Sequence, residues 1–224
     1  MENKSNNKTQ KDYIRKSNFY MLFWIFMMGS VLGFVLEGFW CIVKKGYWEH
    51  HAAVVWGPFC VIYGIGAGAV YVLSKHLQNR NLAVQAVVYM LSGAAIEYFS
   101  SLFQEICFGS TSWNYDSYFM NLGGRISLKM TFIWGVLGIV SARYIFPSLE
   151  KAIMKLNNNT GFTITWILIV FMTVNVAITC TAVARWHRRI EGDPHTNPFE
   201  AIFDNLYGDE KMQKLFPNMS FIED

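Results

Sequence analysis

The chain has 224 residues, of which 53% are hydrophobic, 17% aromatic and only 16% charged, and it carries a formal net charge of +3. Its apolar residues come in long blocks rather than at the spacing of a water-soluble core, which excludes an ordinary soluble domain and points to an all-α polytopic membrane protein. The charge excess is small and sits mostly in tails and loops, so there is no nucleic-acid footprint, and the basic residues speak to orientation in a membrane.

Residues 1–18 form a polar tail with Lys4, Lys8, Lys11, Arg15 and Lys16. No small-residue cleavage site follows, so the first apolar segment is expected to remain as an uncleaved anchor. About five spans are expected, at 19–36, 52–77, 82–108, 126–149 and 161–184, each near the ~20 residues that cross ~30 Å of hydrocarbon. The chain thus divides into the tail, a transmembrane helical bundle over 19–185, and a C-terminal linker with a short amphipathic helix over 186–224.

Basic loops favour the cytoplasmic side, which places the N-terminus inside with Lys75, Arg80, Arg143, Lys151 and Lys155. Lys44, Lys45, Arg125 and Lys129 then fall outside. An odd number of spans also leaves Arg185, Arg188 and Arg189 outside, against the rule, unless one segment is re-entrant.

The first and third spans share the pattern Gly-x-x-[Leu/Ile]-Glu-x-Phe, at Gly33–Phe39 and Gly93–Phe99. A carboxylate within a span costs roughly 2.5–3.5 kcal/mol on insertion scales, so Glu37 and Glu97 are functional-site candidates facing a partner or a wet cavity. Each copy is followed by an aromatic loop and a glycine-containing span, which suggests two helical hairpins related by a parallel repeat. Gly29, Gly33 and Glu37 recur every four residues along one helix face, and Gly64 and Gly68 offer a matching small-residue face on the second span.

On the third span Glu97, Ser101 and Gln104 make a polar stripe with Glu105 beside it, and Arg125 and Lys129 open the fourth span. The short connection makes Glu105 or Asp116 the expected ion-pair partner of Arg125. Glu37 and Glu97 are left to be met by Ser, Tyr or backbone groups, or by a solute. Past Arg185-Trp186-His187-Arg188-Arg189, the residues Phe199, Ile202, Phe203, Leu206 and Tyr207 follow helical spacing with acids between them.

Cys41, Cys60, Cys107 and Cys180 are isolated from one another and read as buried free thiols. His50-His51 is the only histidine cluster and reads as solvated; no metal set or cofactor is expected. No P-loop, zinc-protease, nucleophile-elbow or Cys-x-x-Cys motif occurs, so any ATP must be hydrolysed by another subunit.

The segments Gly57-Pro58-Phe59-Cys60-Val61-Ile62-Tyr63-Gly64, Trp113-Asn114-Tyr115-Asp116 and Asn121-Leu122-Gly123-Gly124-Arg125, followed by Trp134-Gly135, resemble the bacterial ABC-transporter type IV permease family. The resemblance extends through Arg185-Trp186 and Phe216-Pro217-Asn218-Met219, and Glu37 and Glu97 fall where that family carries intramembrane glutamates. Gly57, Pro58, Tyr63, Gly64, Trp113, Asp116, Asn121 and Gly124 are its structural positions. Val61 stands for the family's usual proline, Ser112-Trp113-Asn114-Tyr115 for its Trp-Trp-Asp-Tyr, and Asn175 for an aspartate of the last span.

The resemblance implies a multi-pass protein of the bacterial cytoplasmic membrane, with the lipid bilayer, a separate ATP-binding subunit and further copies of the chain as partners. The first reading is a permease-like subunit whose solute pathway holds Glu37, Glu97, Gln104, Ser101, Glu105 and Arg125. An embedded enzyme acting on a lipid or prenyl substrate and a non-catalytic assembly or sensor protein are the alternatives.

Overall fold

A computed structural model describes the backbone of residues 2–156 and 158–222, and side chains from Asn18 onward over the same stretches. The side chains of the basic tail lie outside the described residues. Helix α1 (Glu2–Lys45) is followed by α2 (Val61–Leu77) and α3 (Leu82–Phe108). A loop with the short strands β1 (Ser110–Thr111), β2 (Asn121–Leu122) and β3 (Ile126–Ser127) leads into α4 (Leu128–Val140), a π turn (Ser141–Ile145) and α5 (Phe146–Lys155). Then come α6 (Asn159–Ile190), α7 (Pro198–Leu206), α8 (Asp209–Leu215) and β4 (Ser220–Phe221).

Among the described residues, four stretches are long and apolar enough to cross a membrane: Asn18–Lys45, Leu82–Phe108, Leu128–Lys155 and Asn159–Ile190. The third is continuous through the π turn, a wide turn just ahead of Pro147, whose nitrogen carries no hydrogen to donate. Side-chain caps start these helices where the sequence supplies them: Asn81 accepts from Val84 N–H, Ser127 from Met130 N–H and Asn158 from Gly161 N–H.

The span expected at 52–77 is divided. Only Val61–Leu77 is helical, and the apolar residues before it form an irregular loop rather than a helix. Gly57, with φ of +83°, and Pro58 break the helix, because the first takes a left-handed conformation and the second lacks an N–H. Ala52, Val54 and Val55 are nevertheless buried. Irregular backbone is tolerated among spans only where protein groups satisfy it, and four N–H groups of this segment have such partners. Cys60 N–H donates to Ser30 O, halfway along the apolar part of α1, Ala53 N–H donates to Phe59 O, and Val55 N–H donates to Thr179 Oγ1. Trp56 N–H donates to Asn175 Oδ1 at 3.1 Å while Asn175 Nδ2 donates to Trp56 O at 2.7 Å. An amide can make both bonds; an ionised carboxylate, with acceptors alone, can make one.

Helices α1 and α2 form one antiparallel hairpin and α3 and α4 another, packed side by side. At the end where α1 stops, the loops 46–60 and 109–127 meet the C-terminal segment. Phe203, Tyr207, Met212 and Phe216 of that segment pack with Val55, Ala182, Val183 and Trp186 into one apolar core, and β4 pairs antiparallel with β1. The C-terminal amphipathic pattern is therefore two short helices, with Phe203 and Tyr207 facing inward and Phe199, Ile202 and Leu206 left exposed.

Arg185, Arg188 and Arg189, which the expected orientation places outside, are all paired with acids of this segment. Arg185 holds Asp204 through Nε at 2.8 Å and Nη2 at 2.9 Å, Arg189 holds Asp204 at 2.6 Å and Asp209 at 2.7 Å, and Arg188 pairs with Glu200 at 2.9 Å.

Candidate functional site

The two glutamate motifs carry the same local construction. In the first hairpin Gly33 leaves no room for a Cβ because the Tyr63 ring lies against it, and the Tyr63 hydroxyl donates to Glu37 Oε1 at 2.5 Å. In the second hairpin Gly93 leaves no room because Trp134 lies against it, and Trp134 Nε1–H donates to Glu97 Oε2 at 2.9 Å. In both, the glycine one helical turn before the glutamate seats the aromatic ring that serves that glutamate. Tyr63 and Trp134 then face each other with ring centroids 5.5 Å apart and planes inclined by 37°, joining the two halves.

Glu97 receives a second bond from the Tyr115 hydroxyl at 2.7 Å. Burial, with Glu97 alongside, pushes the Tyr115 phenol well above its ordinary range, so it remains a donor. Tyr115 is fixed by its own loop: its N–H donates to Gly124 O, and Asn121 donates to Asp116 O and Tyr118 O while accepting from Gly124 N–H. Gly123 and Gly124 supply φ of +57° and +64° at the turn between β2 and β3, and Trp113 Nε1–H donates to Arg125 O. The family positions Trp113, Asp116, Asn121 and Gly124 thus build a scaffold behind Tyr115, and Trp113 also lines the same cavity as Glu97.

Glu37, Tyr63, Glu97, Gln104, Tyr115 and Trp134 line one cavity of about 780 Å³, whose wall also includes His50, His51 and Cys60 from the loop 46–60 and Phe216 from the C-terminal segment. Glu97 is only 4% exposed. Among the described residues, neither glutamate has a cationic partner; their hydrogen bonds come from the neutral donors of Tyr and Trp. Two carboxylates held by neutral groups on a cavity wall are equipped to take a proton or to meet a cation.

The other expected site residues separate from this pair. Gln104 is on the cavity wall and donates to Ser112 Oγ at 2.8 Å. Ser101 is buried but does not line the cavity. Glu105 pairs with Arg125, as the short connection suggested, and the pair stands off the cavity wall near the membrane edge, with the Arg125 guanidinium also 5.9 Å from the Tyr98 ring.

Cys41 and Cys60 are buried free thiols, whereas Cys107 is exposed. The histidines are not solvated as a pair. His50 Nδ1 is 3.1 Å from Leu215 O, and His51, with a side chain 13% exposed, lies against Cys41 and Glu49.

No curated protein and no solved structure matches the chain. A family model does, over residues 24–180, which takes in both glutamate motifs, the loop 46–60 and most of α6 but stops short of the C-terminal segment. With more than half of its length matched, the chain belongs to the family described as "Putative ABC-transporter type IV".

Proposed function

We propose that the protein is a permease-like membrane subunit that moves a small polar or cationic solute, with ATP hydrolysed by a separate subunit. The observation that carries this reading is the pair Glu37 and Glu97 on the wall of one cavity among the spans, each held by neutral donors and, among the described residues, free of a fixed counter-cation. Family membership supports the same reading and the bacterial cytoplasmic membrane as its location. Counting α2 and the loop before it as one passage, the N-terminus lies inside and the loop end of the bundle outside, and the acids of the C-terminal segment offset the arginines there.

In this reading Glu37 and Glu97 receive the solute's charge or a proton, and Tyr63 and Trp134 set the spacing between them. Gln104 adds a polar contact on the wall, while Glu105 and Arg125 anchor the second loop at the membrane edge. The test is purification of the tagged protein in mild detergent with mass spectrometry of what accompanies it, followed by ATP-driven uptake into proteoliposomes across a panel of small cationic solutes. A stoichiometric ATP-binding chain and uptake abolished by Glu37→Gln with Glu97→Gln are expected. Uptake that survives both replacements, or a lone chain that turns over a retained lipid without ATP, overturns the reading.

A further inference from the structure

We propose that Cys41, Glu49 and His51 form a site for one divalent transition-metal ion of the zinc class, at the edge of the cavity that His51 helps to line. Cys41 sits near the end of α1, and the turn at Gly46, with φ of +80°, folds the chain back so that Glu49 and His51 return to it. Cys41 Sγ lies 2.9 Å from His51 Nε2 and 3.7 Å from Glu49 Oε2, and His51 Nε2 lies 3.2 Å from Glu49 Oε2. An ion bound at about 2.0–2.3 Å to sulfur, nitrogen and oxygen in tetrahedral geometry needs ligand separations of roughly 3.3–3.7 Å, so small movements complete the triangle.

Thiolate, imidazole and carboxylate together suit zinc better than the hard cations, which take oxygen ligands. Three protein ligands leave the fourth position open to water or to a group entering from the cavity. A thiolate and a carboxylate also balance the charge of a divalent ion. Lys45 Nζ, 2.7 Å from Glu49 Oε2, supplies a positive charge at the same place, and its 41% exposed side chain can swing into solvent.

The second observation lies behind the histidine. Asn218, in the turn between α8 and β4, has its amide 3.1 Å from His51 Nδ1. Ligating histidines commonly have their other ring nitrogen held in this way, which fixes the tautomer and ring orientation. With Nε2 on a metal, Nδ1 carries the hydrogen and the Asn218 amide turns its oxygen to accept it. Docking of the C-terminal segment then strengthens metal binding, and metal binding strengthens docking, by linkage.

The experiment uses full-length protein with a tag free of histidine, kept reduced in detergent, stripped with a chelator and titrated with Zn²⁺ against a chromophoric competitor. One zinc per chain is expected. Cys41→Ser and His51→Ala each lose at least tenfold in affinity, Asn218→Ala loses about 10- to 100-fold, and Cys107→Ser, at an exposed thiol off the cavity wall, stays as wild type. Co²⁺ in place of zinc gives a thiolate charge-transfer absorption that Cys41→Ser lacks. Variants are compared only where their elution and tryptophan fluorescence match wild type, and Asn218→Ala serves as the milder change. Zinc content that is nil in wild type, or undiminished in the Cys41→Ser, His51→Ala double variant, overturns the site and leaves a hydrogen-bonded cluster. The outcome is independent of transport, because the readout is bound metal.

Discussion

Tyr63 and Trp134 meet as tilted rings with centroids 5.5 Å apart, and each gives its one polar hydrogen to the glutamate of its own hairpin. The two halves of the bundle therefore meet through a pair of aromatic side chains whose Cβ and ring roots are wedged against Gly33 and Gly93. A shift of either hairpin has to move a ring, and moving a ring alters a hydrogen bond to a carboxylate.

Removing these donors should be measurable as lost stability. Trp134→Phe leaves Glu97 with Tyr115 alone in a 4% exposed setting, and a buried polar group deprived of a partner costs about 1–3 kcal/mol. Tyr63→Phe is expected to cost less, because Glu37 is only partly buried. The double variant should depart from additivity, since the rings touch. Thermal unfolding midpoints in one detergent check this; strict additivity would mean that the rings do not couple the hairpins.

The glycines permit a sharper comparison. A Cβ at Gly33 or Gly93 would run into the Tyr63 or Trp134 ring, whereas one at Gly68 would meet only Leu22 Cδ1 at 3.4 Å. Gly93→Ala should destabilise by about 1–3 kcal/mol through overpacking. Gly68→Ala should be neutral or stabilising by up to ~1 kcal/mol through helix propensity. Equal midpoints for the two variants would contradict the ring-in-notch packing.

The sequence made some of this legible and hid the rest for a physical reason. Glu37 and Glu97 stand out because charge within an apolar block is costly, and Arg125 with Glu105 was accessible because a short connection keeps both at one membrane edge. The repeat was visible as a motif, but its meaning lay in Tyr63 and Trp134, which follow their glycines at different separations and so carry no common spacing. Asn175 looked like a mere departure from the family's aspartate. Its role as a clamp depends on Trp56, more than a hundred residues away in the chain. The span at 52–77 was misjudged over its first part because burial by protein and burial by lipid select the same apolar residues; Gly57-Pro58 was the available sign of the break.

That clamp gives the third prediction. Asn175→Asp removes the donor to Trp56 O, and Asn175→Leu removes donor and acceptor together. Each should cost about 1–3 kcal/mol and loosen the loop 51–60. The 8% exposed Cys60, whose N–H is tied to Ser30 O, reports on this: its labelling by a membrane-permeant maleimide should speed up in both variants. Unchanged labelling would show that Thr179 and Ser30 hold the loop without Asn175.

Acid should detach the C-terminal segment through Asp204. The Arg185 guanidinium, bonded to it through two nitrogens, and then Arg189 hold its carboxyl down at about 2, against an ordinary value of 3.8. Because the folded value lies below the unfolded one, the stabilisation is fully present above pH ~4 and is lost as pH falls toward 2. Protonation also strands Arg185, whose side chain is 2% exposed. Cleavage by pepsin between α6 and α7 should therefore rise across that window in wild type. Asp204→Asn should already be more open to cleavage at pH 4, with a shallower rise below it that the Glu200 and Asp209 pairs carry. A wild-type profile that matches the variant's would remove the Arg185–Asp204 pair as the latch of this segment.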